Sequence, residues 1–161
     1  MRRKAMAGVL TLGAVLAAGA AGAAGMPEER EGWVIMPTGH GFEDLVGRVE
    51  SAVEESPLAV VTRASATKGA ASIGQTILGN MVVGVFAPTF ALRLLEASLP
   101  AGIEAPLRLY LTENADGTTT LSWERPTTIF AAYPEGGEKL EELAGELEDI
   151  LRQIGEQAAG S

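Results

Sequence analysis

The side chains able to do chemistry are few. The 161-residue sequence has one histidine and no cysteine, which excludes thiol nucleophiles, disulfide frameworks and zinc sites built on Cys. His40 stands in Thr38-Gly39-His40-Gly41, and no Gly-x-Ser-x-Gly elbow occurs anywhere to supply a nucleophile for it. An imidazole between two glycines reads as a loop residue at a helix start. Zinc and copper centres draw on several imidazoles or thiolates, so one histidine does not make one. No catalytic, cofactor-binding or metal-ligating residue is assigned, and no cofactor is expected.

Carboxylates are the remaining chemical resource. Glu104, Glu113 and Asp116 are close enough in sequence to approach one another, and two acids with separated ionisation in one cleft would support hydrolysis, with Glu104 or Asp116 as base. Asn114-Ala115-Asp116-Gly117 superficially matches the middle of a calcium loop, but Thr112 and Trp123 then fall where carboxylates are required. A tight turn explains those residues better. Gly74 and Gly79 have the first spacing of a phosphate loop, yet Asn80 follows where Lys is needed.

The elements that would position these groups follow from periodicity. Trp33 to Met36 is a short apolar strand ended by Pro37. Phe42, Leu45, Val46, Val49 and Val53 form one helical stripe that stops before Pro57. Leu58 to Thr62 reads as a second strand, and a helix capped by Ser65 or Thr67 is expected to run past Ile73. The apolar segment from Ile77 to Leu95 contains Asn80, Pro88 and Arg93, which are costly or disruptive in lipid. It divides into a buried strand from Met81 to Phe86 and a helix from Thr89 to about Ser98, with Pro88 in its first turn.

Leu107, Leu109 and Leu111 alternate with Arg108, Tyr110 and Thr112. With Ala115-Asp116-Gly117 as a three-residue loop and Gly117 left-handed, Leu109 faces Trp123 and Leu111 faces Leu121, while Arg108 lies opposite Glu124 and Thr112 opposite Thr120. A closing helix follows Gly136-Gly137, with Leu140, Leu143, Leu147, Leu151 and Ile154 on one face. The fold class expected is α+β: two layers, one mixed or antiparallel sheet of about five strands, helices mainly on one side.

Arg2, Arg3 and Lys4 precede a stretch with no charge until Glu28, and its large apolar side chains end at Leu16. Eleven helical residues reach only about 16 Å, too short for a bilayer. A signal peptide over residues 1–25 fits better than an uncleaved tether, with Ala21-Gly22-Ala23 or Gly22-Ala23-Ala24 as the cleavage frame. Export to periplasm or medium is expected, with no stable membrane insertion after cleavage. Residues 26–32 read as a linker, 33–157 as one domain and 158–161 as a disordered tail. Losing the three basic residues takes the formal charge from −9 to −12. An acidic surface argues against nucleic acid as a partner.

Several stretches together resemble the bacterial family catalogued as domain of unknown function 302: Pro88 with Leu94-Leu95, Pro100-Ala101-Gly102-Ile103-Glu104-Ala105-Pro106-Leu107, Gly69 to Gly74, and the hairpin through Leu121-Ser122-Trp123 with Arg125-Pro126. Ser65-Ala66 stand where many members of that family carry an Asp-His pair. The resemblance implies a two-layer α+β domain, often exported and able to pair into dimers, with no established reaction. Two functions are therefore weighed. One is a non-catalytic exported domain that binds a small apolar ligand or a protein partner, including a second copy of itself. The alternative is a carboxylate-dependent hydrolase.

Overall fold

The computed structural model describes residues 29–160; the expected signal peptide and residues 26–28 of the linker lie outside them. Apolar alternation produces five strands, β1 (Trp33–Pro37), β2 (Ala59–Ser65), β3 (Asn80–Phe86), β4 (Leu107–Glu113) and β5 (Thr119–Glu124). They form one sheet in the order β1-β5-β4-β3-β2, and every neighbouring pair is antiparallel. The fold is α+β, as expected.

Helical stripes cover one face of this sheet. α1 (Phe42–Glu54) buries Leu45, Val49, Ala52 and Val53, and the long closing helix Gly137–Ala159 buries the whole Leu140 to Ile154 stripe. Between these two lie α2 (Ala66–Ser72), α3 (Pro88–Ala97) and α4 (Pro126–Phe130), so the closing helix is α5. The stripes meet Met81, Val83, Val85, Leu109, Leu111, Leu121 and Trp123 from the strands. Each fully buried aliphatic side chain in this layer is worth about 1.5–3 kcal/mol of transfer free energy.

The hairpin has the expected register: Leu111 pairs with Leu121 and Thr112 with Thr120. Gly117 has φ +83°, and the Asn114 amide donates to the Thr118 carbonyl at 2.7 Å. The segment from residue 77 to 95 divides into β3 and α3, with Pro88 opening the helix. Among the described residues no helix is long and apolar enough to cross a membrane.

Four features differ from the sequence expectation by more than one residue. β2, expected over Leu58 to Thr62, continues to Ser65. α2 stops at Ser72 instead of running past Ile73; it buries no side chain, and Gly74 turns the chain at φ +74°. α4, absent from the expected order, begins at Pro126 and buries Phe130. The expected disordered tail at 158–161 is corrected for residues 158–160. α5 continues to Ala159, Ala158 is buried, and Gly160 caps the helix at φ 75°. Two α1-side residues hold that end. Arg48 Nε donates to the Ala158 carbonyl at 2.6 Å, and His40 Nε2 lies 3.2 Å from the Ala159 carbonyl. A cation near the C-terminal carbonyls of a helix opposes its dipole.

Candidate functional site

The carboxylates singled out in the sequence do not converge. Glu104 closes the 3₁₀ turn Pro100–Glu104 before β4, and Asp116 lies in the turn after it. The seven residues of β4 separate them by about 20 Å. Each is also engaged where it stands. Glu104 Oε1 accepts the Tyr133 hydroxyl at 2.6 Å, and Asp116 Oδ1 accepts the Thr118 hydroxyl at 2.6 Å and its amide at 3.0 Å. The Thr118 bonds hold the Asp116 carboxyl below its ordinary range, and the Glu104 bond holds the Tyr133 phenol above its own. Glu113 Oε2 accepts the Gly79 amide at 2.6 Å, which fixes the loop entering β3. His40 also serves structure, with Nδ1 2.9 Å from Asp44 and Nε2 on the α5 terminus. Among the described residues no group of three or more His, Cys, Asp or Glu could hold a metal.

Two other surfaces stand out. The first is the sheet face that carries no α5. Here the strand alternation places Trp33, Glu124 and Arg108 side by side, because Trp33 pairs with Glu124 and the hairpin register extended by two residues sets Arg108 level with Glu124. One step along the strands come Tyr110 and Val82, then Asn80. These side chains, with Glu104 and the apolar Leu107 and Ile129, line a groove of about 430 Å³, within the range of roughly 300–1,000 Å³ usual for small-molecule sites. Asn80 Nδ2 donates to the Tyr110 hydroxyl at 2.6 Å, which leaves the phenol proton to be donated elsewhere. Arg108 is 62% exposed on its side chain and reaches Glu104 only at 4.0 Å. Arg30 stacks on the Trp33 ring at 5.3 Å.

The second surface is on α3. Leu92 and Leu95 on α3, then Leu99 at the start and Ile103 within the 3₁₀ turn beyond the extended Ser98, are 64%, 44%, 75% and 79% exposed. Leu94 alone is buried from this helix. A methyl at Gly102 would lie 2.7 Å from Leu95 Cδ2, so the leucine rests on the glycine and the helix and 3₁₀ turn present one continuous ridge. Beneath α3 a slot lined by Leu58, Phe90, Leu94 and Phe130 has a volume of about 30 Å³, enough for a water-sized probe and too small for a drug-sized ligand.

A family model described as "Domain of unknown function DUF302" matches residues 34–158. The chain belongs to the DUF302 family. Among solved structures it is similar to the uncharacterized conserved protein DUF302 from Bacillus stearothermophilus, at 20% identity and a TM-score of 0.71, over 80% of this chain and 99% of that one. At that identity the likeness shows the fold. No curated protein matches the chain.

Within this DUF302 domain the segment Pro100 to Leu107 supplies both surfaces, Ile103 to the ridge and Glu104 to the groove. Ser65 acts as the cap of α2, its Oγ accepting the Lys68 amide at 3.1 Å. Sequence reasoning passed over the ridge because leucines at helical spacing read first as core. It also left the groove unassigned, although the paired Arg108 and Glu124 on the outward face of the expected hairpin were its signal.

Proposed function

We propose that the protein is an exported, non-catalytic interaction domain whose partner is a second copy of the same chain, met along the α3 ridge. The observation that carries this reading is the exposure of Leu92 and Leu95 on α3 together with Leu99 and Ile103 at the following 3₁₀ turn, while α3 buries only Leu94. An apolar patch of a few hundred Å² is about the largest a monomer usually exposes, and such a patch is often functional. Such a ridge can meet its own copy across a two-fold axis, the commonest geometry of homo-oligomers. Two such ridges in contact bury on the order of 1,000 Å², the lower bound of a specific interface. The slot beneath α3 is too small to hold an apolar ligand at the ridge itself. The separation of Glu104 from Asp116, and the internal partners of both, weigh against the hydrolase reading. Export rests on the basic start and the short apolar run of residues 1–25.

Sedimentation velocity of the processed chain at micromolar concentration tests the reading. A dimer is expected, and Leu99→Glu with Ile103→Glu should give a folded monomer. A wild-type chain that sediments as a monomer at about 50 μM would remove the proposal.

A further inference from the structure

We propose that the groove on the outward sheet face binds a neutral, hydroxyl-rich ring compound, a saccharide, independently of the α3 ridge. The inference rests on the mixture of groups that line it. Trp33 offers the groove the side of its ring away from Arg30, Glu124 and Arg108 stand next to it on successive strands, and the Tyr110 hydroxyl, supported by Asn80, follows one step along. With strands about 4.8 Å apart, the indole, the carboxylate and the guanidinium lie within about 10 Å, the span of one or two sugar rings.

Other ligand classes fit this lining poorly. An anion would approach Arg108 but also face Glu124 and Glu104; a cation would be drawn to Glu124 but would meet Arg108 beside it, with Glu104 already engaged by Tyr133. A purely apolar molecule would strip water from a guanidinium and a carboxylate without replacing their hydrogen bonds, a loss of several-fold in affinity for each group. Vicinal hydroxyls both donate and accept, so one ring can give to Glu124 and take from Arg108 and Tyr110. Its C–H face meanwhile covers the indole.

The internal bonding leaves those groups available. Glu124 forms no ion pair with Arg108 despite their level positions, and the carboxylate nearest Arg108 is Glu104 at 4.0 Å. Glu104 is itself tied to Tyr133 at 2.6 Å, while Arg108 and Glu124 stand level in the groove without a direct ion pair.

The two indoles make the test selective, because Trp123 is 1% exposed in the core and serves as an internal reference for Trp33. The processed chain, labelled with nitrogen-15, is titrated with glucose, N-acetylglucosamine, maltose and cellobiose, and separately with glycine betaine and hexanoate. Saturable movement of the Trp33 indole signal is expected with at least one sugar below about 10 mM, with Trp123 unmoved. The dissociation constant should weaken about tenfold or more in Trp33→Ala and in Arg108→Ala. Arg108→Ala keeps the test open if the edge-strand variant does not fold. The proposal is overturned by no saturable movement with any of the four sugars, by stronger binding of betaine or hexanoate, or by sugar binding that survives both substitutions.

Discussion

Gly155 on α5 lies directly against the indole of Trp123 on β5, so that a methyl added to the glycine would come within 2.6 Å of Cη2. That contact sets how closely the long helix can seat on the sheet. It also reverses the usual effect of replacing a helical glycine. Alanine is favoured over glycine by about 1 kcal/mol in a helix interior, but forcing a methyl into a filled core costs about 1–3 kcal/mol. Gly155→Ala should therefore destabilise the protein. Gly145, on the same helix, has nothing within 4 Å of its added methyl, and Gly145→Ala should stabilise by up to about 1 kcal/mol. Urea denaturation of the two variants checks the pair, and equal shifts in midpoint would show that the indole does not limit the approach of α5.

The hairpin offers a second test, because its turn and its buried end depend on different residues. Gly117 has φ +83°, a conformation that costs a side-chain-bearing residue about 1–2 kcal/mol. Asn114 is buried and donates to the Thr118 hydroxyl at 2.9 Å and the Thr120 hydroxyl at 3.2 Å. Asn114→Ala leaves the buried Thr120 hydroxyl without that partner, a loss of about 1–3 kcal/mol. Gly117→Ala and Asn114→Ala should each lower the urea midpoint, whereas Ala115→Ser on the exposed tip should leave it unchanged.

These elements also show which parts of the fold were legible in the sequence. The register of Leu111 with Leu121 followed from alternation and one turn, all within a few residues of each other. The α5 stripe was equally local. The end of α5 was not, because the groups that hold its carbonyls, Arg48 and His40, are 110 and 119 residues away. α4 was missed because five residues are too few to show a helical period. The groove required the pairing of β1 with β5, the first strand with the last, which no local pattern encodes. On α3, the same leucine spacing that signals burial elsewhere faces solvent, and only the assembled helix layer distinguishes the two.

Acid should weaken the protein through three carboxylates held below their ordinary range. The Ser98 hydroxyl does this for Glu135, and the Thr118 hydroxyl for Asp116. At Glu148 burial pushes the carboxyl upward, but hydrogen bonds from Thr127 and Arg125 outweigh it and the net shift is downward. A carboxyl with a folded value below its unfolded one adds stability that is complete above the unfolded value, 4.5 for the glutamates and 3.8 for the aspartate. That stability disappears as pH falls through the lowered folded value. The urea midpoint should be level from pH 7 to about 5 and then drop. Glu148→Gln should flatten part of the drop, and a variant with the wild-type slope would exclude Glu148 as a contributor. Tyr133 acts with the opposite sign at the alkaline end: its phenol is raised above 10 chiefly by the bond to Glu104, so its contribution is complete below 10 and is lost as pH rises through the folded value.

A partner on the α3 ridge has a thermodynamic signature separate from hydrodynamic size. If the native state is a dimer, dilution shifts the folding equilibrium toward the unfolded chain, and the melting temperature rises with protein concentration by mass action. Leu99 and Ile103 are 75% and 79% exposed within one chain, so Leu99→Glu and Ile103→Glu remove little intramolecular burial. The double variant should lose the concentration dependence while keeping the melting temperature that the wild-type chain approaches on dilution. Gly102→Ala probes the same ridge from beneath: its methyl would displace Leu95 from 2.7 Å, breaking the line between Leu92 and Leu99. It should weaken self-association without unfolding the domain. A melting temperature that is independent of concentration over about two decades for wild type and variants alike would show that the ridge holds no second copy.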